Sequence, residues 1–432
     1  MKYYYLESLG CPKNLVDSEV FAGIIEQSGY QSTTDPSLAE VIIVNTCGFI
    51  LDAKQEAIDT ILTLAENKTT GVCRHLIATG CLVKRYFDDI QRDIPEIDHL
   101  INLKDFPSFA QIFKASLPWQ RRQLTPQHFA YLRISDGCNN HCSYCAIPAI
   151  RGVLISDPIS ELIQKARSYA AGGVKELIVT AQDTTQYGFD RDGKSHLIEL
   201  LIELEKIAEL EWIRLLYLHP AHLSDELIDY ICTSKKVCHY FEVPVQHAAD
   251  HLLLDMNRKI DQQRIRQIIS RIRRNDPQAA IRTTFIVGHP GETEQDYEEL
   301  MSFIEEMQFD RMGVFAYSEE EGTPSADLPD KVDEDTAELR KDQLMAIQME
   351  ISKIAMSRYY KKVLRVIIDE KSEDKEFDYV GRTQYDCPDI DGVVYLYGDA
   401  RPGEIRDVRI IDTWEYDLVG KILKDKDDGD NE

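Results

Sequence analysis

The chain has 432 residues, 43% of them hydrophobic, which predicts about three domains with sizeable cores. Its formal net charge of −26, from 49 Lys and Arg against 75 Asp and Glu, repels phosphate backbones. Nucleic acid is therefore disfavoured as the main ligand and a basic partner is favoured, although acidity also serves solubility alone. The chain has neither a signal-peptide pattern nor a run of roughly 20 apolar residues, so we expect a cytoplasmic protein with no membrane partner.

Residues 1–128 form the first predicted domain, in which short apolar runs alternate with amphipathic helical patterns. The runs KYYYLESLG, EVIIVNT and HLIATG lead into Cys11, Cys47 and Cys81. This alternation predicts a doubly wound parallel sheet, because parallel strands need long crossover connections. The carboxyl ends of parallel strands share one edge, so the three cysteines are expected to meet there. The alternative is that they are ordinary buried cysteines, as we expect for Cys73, which precedes its strand.

Residues 129–360 form the second predicted domain. Six strand candidates are separated by helical patterns: AYLRIS, ELIVTAQD, WIRLLYL, YFEVPVQ, AIRTTFIVG and RMGVFAYS. Six βα units fall short of the eight units and roughly 250 residues of a closed TIM barrel, so a partial, open barrel is predicted. Residues 332–360 read as one long trailing helix rich in Glu, Lys, Leu and Met.

Residues 361–432 form the third predicted domain, a run of short strands and turns. This pattern predicts a small antiparallel β-barrel. The final segment KDKDDGDNE is so charged that we expect it to be disordered.

The stretch DGCNNHCSYCAIPAIRG directly follows the first strand of the predicted partial barrel and contains Cys138, Cys142 and Cys145. Structural zinc normally takes four protein ligands, so a zinc site would need a distant fourth one. A [4Fe–4S] cluster held by three thiolates instead leaves one iron open to bind a small molecule. The spacing therefore favours a cluster at the barrel mouth, where barrel chemistry gathers.

This motif and the barrel after it resemble the radical S-adenosylmethionine superfamily. The resemblance implies that the open iron binds S-adenosyl-L-methionine and that reduction cleaves this cofactor to a 5′-deoxyadenosyl radical. It assigns this role to the cluster of Cys138, Cys142 and Cys145.

Further motifs along nearly the whole chain resemble the methylthiotransferase family. They are LGCPKN, NTCGF, TGCLVKRY, CAIPAIRG, AQDTTQYG, FEVPVQHAADHLLLDMNR, FIVGHPGETEQDY and YSEEEGTPSA. The resemblance implies that Cys11, Cys47 and Cys81 hold a second, auxiliary [4Fe–4S] cluster, that the last domain is a TRAM domain, and that a reductant such as flavodoxin or ferredoxin is a partner. Relatives usually carry an aromatic residue where this chain has His289.

Four polar residues at or beyond predicted strand ends face the expected mouth: Gln182, Asp183, Gln246 and Arg258. They are candidates for binding S-adenosylmethionine. The alternative is that they are ordinary polar residues of the barrel rim, and the same two interpretations apply to His219. His141 is expected to be exposed or to pack, because three thiolates already suffice. Cys232, Cys238 and Cys387 lack ligand-like spacing and are expected to be structural.

Members of this family modify either an adenosine of transfer RNA or an aspartate of ribosomal protein S-twelve. Residues 361–432 hold 12 Lys and Arg against 20 Asp and Glu, a formal charge of −8, which disfavours RNA and suits a basic ribosomal protein. LGCPKN and SDGCNNHCSYCAIP also resemble the ribosomal-protein branch. We therefore expect insertion of a methylthio group at the β-carbon of that aspartate. The alternatives are a transfer-RNA methylthiotransferase and, in a different class, a two-cluster redox sensor that would not cleave the cofactor.

Overall fold

The computed structural model of the protein describes residues 1–117 and 121–424. Nearly all of the predicted charged tail, residues 425–432, lies outside the described residues. Within the two described ranges, no helix combines the length and the apolar character needed to cross a bilayer.

The first region is a five-stranded parallel sheet between two layers of helices, with strand order β2-β1-β3-β4-β5. The strands are β1 Lys2–Ser8, β2 Tyr30–Ser32, β3 Val41–Thr46, β4 His75–Gly80 and β5 His99–Leu100. The helices are α1 Pro12–Gln27, α2 Leu51–Ala65, α3 Asn67–Thr70, α4 Cys81–Arg85, α5 Phe87–Asp93 and α6 Phe106–Phe113. In β3, Val41 and Ile43 pack with α1 and α6, whereas Ile42 and Val44 pack with α2, α4 and α5. Both faces are covered, which confirms the predicted doubly wound sheet.

The second region has six parallel strands arranged as a partial barrel. Two three-stranded sheets, β10-β9-β6 and β11-β12-β13, are joined by a parallel bridge between Ile213 and Val237. The strands of this region are β6 Phe129–Arg133, β7 Ser135–Asp136, β8 Ile155–Ser156, β9 Glu176–Thr180, β10 Trp212–Leu215, β11 Tyr240–Glu242, β12 Ala280–Val287 and β13 Arg311–Ala316. All six predicted strands are confirmed, and the additional pair β7 and β8 is a short antiparallel ribbon.

Nine helices are described in this region: α7 Ile147–Arg151, α8 Ile159–Ala171, α9 Phe189–Asp192, α10 Leu197–Glu205, α11 Asp225–Thr233, α12 Asp250–Asp255, α13 Gln262–Asn275, α14 Glu294–Met307 and α15 Glu334–Ser357. The predicted long helix is α15, which packs against β13. It begins after Asp333, whose carboxylate accepts a hydrogen bond from the N–H of Thr336 and so satisfies a free donor of the first turn.

The third region is a closed five-stranded barrel of order β14-β15-β16-β18-β17. Its strands are β14 Val363–Lys371, β15 Tyr379–Thr383, β16 Val394–Tyr397, β17 Ile405–Thr413 and β18 Leu418–Ile422. Four of the five pairings are antiparallel, as expected, and β16 pairs with β18 in parallel. A closed ring with an odd number of strands cannot alternate direction throughout, so one parallel pair is a geometric necessity.

Buried ion pairs attach this small barrel to the amino-terminal end of the partial barrel. The loop after β15 enters that end, where Arg214 donates to the carbonyl of Gln384 at 2.9 Å and Arg282 pairs with Asp391 at 2.7 Å. At the centre, the inaccessible Glu176 accepts from both Arg214 and Arg382, each at 2.7 Å. Since buried charges are tolerated only when paired, this arrangement fixes how the two barrels dock.

We predict that Glu176→Gln destabilises the protein by about 3–5 kcal/mol, because it leaves two buried guanidinium groups short of a negative charge. Glu211→Gln is the matched control, since Glu211 joins the same two regions through an exposed pair with Arg365 at 2.9 Å. Urea unfolding followed by fluorescence would measure the two midpoints. Equal shifts for the two variants would contradict the assignment of docking stability to the buried pairs.

Candidate metal centres at the barrel mouth

Three cysteines follow the ends of three adjacent strands of the first sheet: Cys11, Cys47 and Cys81. The register pairs the last residues of β3 and β4, Thr46 and Gly80, so the two following cysteines leave the sheet side by side. A Cβ atom placed on Gly10 would lie 2.9 Å from the sulfur of Cys47, so a glycine is required for the close approach of the loop that carries Cys11. The structure thus brings the three predicted residues to one edge of the sheet.

The surroundings of this first cysteine set are buried and cationic. Burial raises the pKa of the Cys81 thiol to about 12, and the guanidinium of Arg151 opposes that shift. Arg151 Nη2 lies 3.8 Å from Cys81 Sγ, and the thiol is 3.6 Å from Asn14 Oδ1. Nearby, the ammonium of the buried Lys13 lies 3.3 Å from the ring centroid of Tyr217, on the loop after β10. Positive groups at this site suit an anionic set of thiolate ligands.

The second set, Cys138, Cys142 and Cys145, lies in the loop between β7 and α7. Two backbone hydrogen bonds hold this loop in place. The N–H of Cys138 donates to the carbonyl of Gly152, and the N–H of Ser143 donates to the carbonyl of Met256, both at 3.1 Å. These contacts leave the loop little freedom, so the cysteines are held at fixed positions on the mouth.

A buried polar relay supports the same loop from the far side of the barrel. The side-chain oxygens of Ser143 and Ser325 are 2.8 Å apart, and Ser325 Oγ is also 2.8 Å from Nε2 of His289. His289 is fully buried. Sequence reasoning noted His289 only as a departure from the family pattern and missed its contact with the loop, because Ser325 and Ser143 are 182 residues apart.

A cation lies beside the second set. Arg258 Nη1 is 3.5 Å from the sulfur of Cys142 and 3.3 Å from the hydroxyl of Tyr144. Burial raises the pKa of Cys138 to about 11 and that of Cys145 to about 12. Thiols that are buried in this way bind a metal strongly only when it displaces their protons, which is usual for cysteine-ligated centres.

The number of cysteines in each set fits an iron–sulfur cluster better than a single zinc ion. Structural zinc normally takes four protein ligands, whereas each set supplies three cysteines. A [4Fe–4S] cluster binds each thiolate to a different iron, so three thiolates can hold it and leave one iron open.

The four predicted cofactor-binding residues differ in how many of their hydrogen-bonding groups are free. Both amide atoms of Gln182 and the Nε of Arg258 are buried without a hydrogen-bond partner among the described residues. Gln246 has a φ of +79° and is bonded through its backbone to Thr284. Asp183 is already engaged by Asn140 at 2.8 Å. Gln182 and Arg258 thus retain unused hydrogen-bonding capacity for a ligand.

Among the described residues, one group of metal-ligating side chains has all its ligand atoms within 4.8 Å: Asp183, His219 and His222. Burial lowers the pKa of both histidines and keeps them neutral. The Nε2 of His222 already meets the amide of Gln186 at 2.7 Å, so the group is a polar wall of the mouth whose donors are largely occupied. The exception is Nε2 of His219, which is buried without a partner within the described chain.

A cavity of about 220 Å³ has lining residues that neighbour both cysteine sets in the chain. Its walls are formed by Phe49, Ile50, Tyr144, Gln246, Thr284, Ile286, Phe315, Ala316, Tyr317, Ser318 and Glu320. Phe49 is two residues from Cys47, and Tyr144 stands between Cys142 and Cys145. A molecule in this cavity would therefore contact the surroundings of both cysteine sets.

The remaining cysteines pack elsewhere in the protein, and the side chain of His141, although it neighbours Cys142 in the chain, points to solvent. His141 is exposed, and its carbonyl accepts from the amide of Asn257 at 2.6 Å. Cys73 packs in the core of the first region, Cys232 packs against the core of the second region, and Cys238 and Cys387 share an apolar cluster inside the partial barrel.

Three family models match the chain. They are the Uncharacterized protein family UPF0004 at residues 3–102, the Radical SAM superfamily at residues 132–304 and the TRAM domain at residues 362–423. Each match falls within one of the three regions of the fold.

Curated relatives match over nearly the full length. A ribosomal protein uS12 methylthiotransferase RimO of Clostridioides difficile is 46% identical over 97% of this chain and 98% of its own length. One of Geobacter sulfurreducens is 45% identical over 96% and 97%. Among solved structures, the radical S-adenosylmethionine methyltransferase TsrM of Kitasatospora setae has a TM-score of 0.55 at 13% identity and covers 75% of this chain and 77% of its own. That likeness concerns the fold alone.

We predict that Gly80→Ala prevents metal binding at the first cysteine set. Gly80 has a φ of +103°, and a Cβ there would lie 2.4 Å from the carbonyl oxygen of Thr46, so Cys81 would be displaced. With two [4Fe–4S] clusters, the iron content after anaerobic reconstitution should fall from about eight to about four atoms per chain. Gly29→Ala is the control, because Gly29 has a φ of +82° but no atom within 4 Å of its added Cβ. Full iron content in the Gly80→Ala variant would contradict the prediction.

Proposed function

Because the chain belongs to the family of ribosomal protein uS12 methylthiotransferases, we propose that it attaches a methylthio group to the β-carbon of an aspartate of uS12, the small-subunit ribosomal protein S-twelve. The observation that carries the proposal is a cavity lined both by Phe49, two residues from Cys47, and by Tyr144, which stands between Cys142 and Cys145. A substrate carbon in that cavity would adjoin the surroundings of both sets. A reaction that activates a carbon at one centre and adds sulfur from another needs such a position.

We propose that Cys138, Cys142 and Cys145 hold a [4Fe–4S] cluster that binds S-adenosylmethionine, and that Cys11, Cys47 and Cys81 hold the auxiliary one. When bound, the cluster with S-adenosylmethionine would supply a 5′-deoxyadenosyl radical, which removes a hydrogen atom from the substrate carbon. The auxiliary cluster would supply the methylthio group that takes the place of this hydrogen. Support comes from the grouping of three cysteines in each set and from the cations beside Cys81 and Cys142. This division leaves the protein the tasks of holding, orienting and sheltering the reactants.

The residues of the mouth are suited to these tasks. The unsatisfied polar atoms of Gln182 and Arg258 would bind the polar groups of S-adenosylmethionine, with Gln246 and Asp183 completing the wall. Apolar side chains, including Phe49, dominate the cavity lining and would exclude water, which protects reactive species from side reactions.

A cluster of two cations and one carboxylate adjoins the cavity at Glu320 and has one positive charge in excess, which suits an aspartate side chain. The buried carboxylate of Glu320 is met by Arg85 at 2.6 Å and by Lys54 at 2.9 Å. These three charges sum to one positive charge. Both cations come from the first region, so a substrate carboxylate beside them would be oriented from the side of the auxiliary cysteines.

A groove of about 630 Å³ shares Ile50 and residues 315–318 with the cavity and continues along α15. The lysines that line it, Lys331 and Lys341, are each paired with a glutamate, Glu319 and Glu338. Asp52 and Glu334 also line the groove and leave it net negative. An extended loop of a basic protein fits such an approach better than a polyanionic RNA does.

The small barrel has an acidic aromatic surface, defined here as Phe377, Tyr395, Tyr397 and Trp414 with the neighbouring carboxylates Asp374, Glu376, Asp378 and Asp417. Ring centroids lie 4.8 Å apart for Phe377 and Tyr395 and 5.3 Å apart for Tyr395 and Trp414. Aromatic faces ringed by carboxylates attract Lys and Arg side chains and repel phosphates. This surface supports a basic protein as the partner.

Two further expectations remain proposals. A ribosomal protein as substrate would place the reaction in the cytoplasm, where ribosomes assemble. Cofactor cleavage consumes an electron, so we propose a low-potential carrier such as flavodoxin or ferredoxin as the donor.

We predict that the two cysteine sets can be separated by mutation. Changing any of Cys138, Cys142 or Cys145 to Ala should abolish cofactor cleavage, because the cluster that binds S-adenosylmethionine is lost. Changing any of Cys11, Cys47 or Cys81 to Ala should preserve cleavage and abolish methylthio insertion. Chromatography of 5′-deoxyadenosine and mass spectrometry of a uS12 loop peptide would measure the two reactions. Cys232→Ala should retain both, and a methylthiolated peptide from a first-set variant would refute the auxiliary role.

We predict that the acidic aromatic surface binds uS12. Combined Glu376→Gln and Trp414→Ala changes should weaken the affinity for uS12 about tenfold, because a large aromatic contact and a charge are lost together. Asp407→Asn, an equal charge change on β17 outside this surface, should have little effect. Titrations of labelled uS12 and of transfer RNA would measure the affinities. Tight binding of transfer RNA that the double variant weakens would overturn the protein substrate.

A further inference from the structure

Arg151 connects the two cysteine sets through a single short helix. It ends α7, which begins two residues after Cys145 and packs against α4, whose first residue is Cys81. Ala146 and Ile150 form an apolar cluster with Cys81. The short helix that follows the second set therefore contacts Cys81, a candidate ligand of the first set.

The guanidinium of Arg151 is buried, with 1% of the side chain exposed, and it spans both regions. Its Nη2 donates to Asn14 Oδ1 at 2.9 Å, to Asp17 Oδ2 at 3.1 Å and to Cys81 Sγ at 3.8 Å. Its Nη1 lies 3.4 Å from Asp136. Asn14 and Asp17 belong to α1, so four acceptors from three separate segments fix the planar group beside the sulfur.

A second arginine shares the carboxylates but not the sulfur. Arg133 pairs with Asp17 and lies 3.9 Å from Asp136, and Lys104 also pairs with Asp136. Ion pairing alone could thus be supplied by Arg133 and Lys104. Contact with a sulfur of the first set distinguishes Arg151 from its cationic neighbours.

We propose that Arg151 is a positioning residue that raises the reduction potential of the auxiliary cluster through its hydrogen bond to the sulfur of Cys81. This inference rests on the proposed function, specifically on the auxiliary cluster at Cys11, Cys47 and Cys81. Reduction adds a negative charge to a cluster. A nearby cation and an N–H donor to a ligand sulfur stabilise the reduced form most, so they raise the potential.

The test uses the full-length chain with Cys138, Cys142 and Cys145 changed to Ala, so that only the auxiliary cluster can form. Spectroelectrochemical titration would give its potential with Arg151 intact, with Arg151→Gln and with Arg151→Lys. The expected result is a more negative potential in Arg151→Gln and a smaller shift in Arg151→Lys, which keeps the charge but loses the planar fork. Electron paramagnetic resonance of the reduced cluster should change in the same order.

Arg133→Gln is the matched control, because it removes a cation from the same carboxylates without touching a sulfur. A shift in Arg133→Gln as large as that in Arg151→Gln would overturn the proposal and assign the effect to general charge. Loss of the cluster in both Arg151 variants, with the cluster retained in Arg133→Gln, would also overturn it, since the role would then be structural. A parent chain that assembles no cluster at all would instead refute the proposed auxiliary site.

Discussion

The rest of the site depends on one buried charge network between the first two regions. Asp17 is inaccessible to solvent and is shared by Arg133 and Arg151, which come from opposite ends of the segment that carries the second cysteine set. An unpaired charge in this position would be strongly destabilising, so the network is satisfied in one relative placement of the two regions. Because each region delivers three thiols at its strand ends, that placement also determines the distance between the two candidate centres.

Strand ends are where the sequence was most informative. The runs before Cys11, Cys47 and Cys81 are short, apolar and separated by helical patterns, and these local signals suffice to predict parallel strands with a shared edge. The spacing of Cys138, Cys142 and Cys145 is likewise local. The three-region architecture followed from the same kind of pattern, and the matches to the family models agree with it.

Contacts between distant segments were not predictable from local patterns. Glu176 binds Arg382 across 206 positions, and Arg151 reaches Cys81 across 70. Nothing in the neighbouring residues indicates such partners, since an isolated buried arginine and an exposed one look alike in sequence. The parallel pairing of β16 with β18 was missed for another reason, because it follows from the number of strands in the closed ring rather than from any strand's own pattern.

The chain as a whole is acidic, whereas cations stand beside its two cysteine sets, and the two features serve different purposes. The net charge of −26 resides mostly on the surface, where it suits a basic partner. Around the cysteines the structure instead places cations: Lys13, Lys54, Arg85, Arg151 and Arg258. Thiolate-ligated clusters, the carboxylate of S-adenosylmethionine and a substrate aspartate are all anionic, and burying them without local positive charge would be costly. A basic protein can therefore be attracted by the outer surface while its single acidic residue is accepted within. Composition alone predicted the attraction of a basic protein, whereas only the fold reveals the cations that can accept its acidic residue.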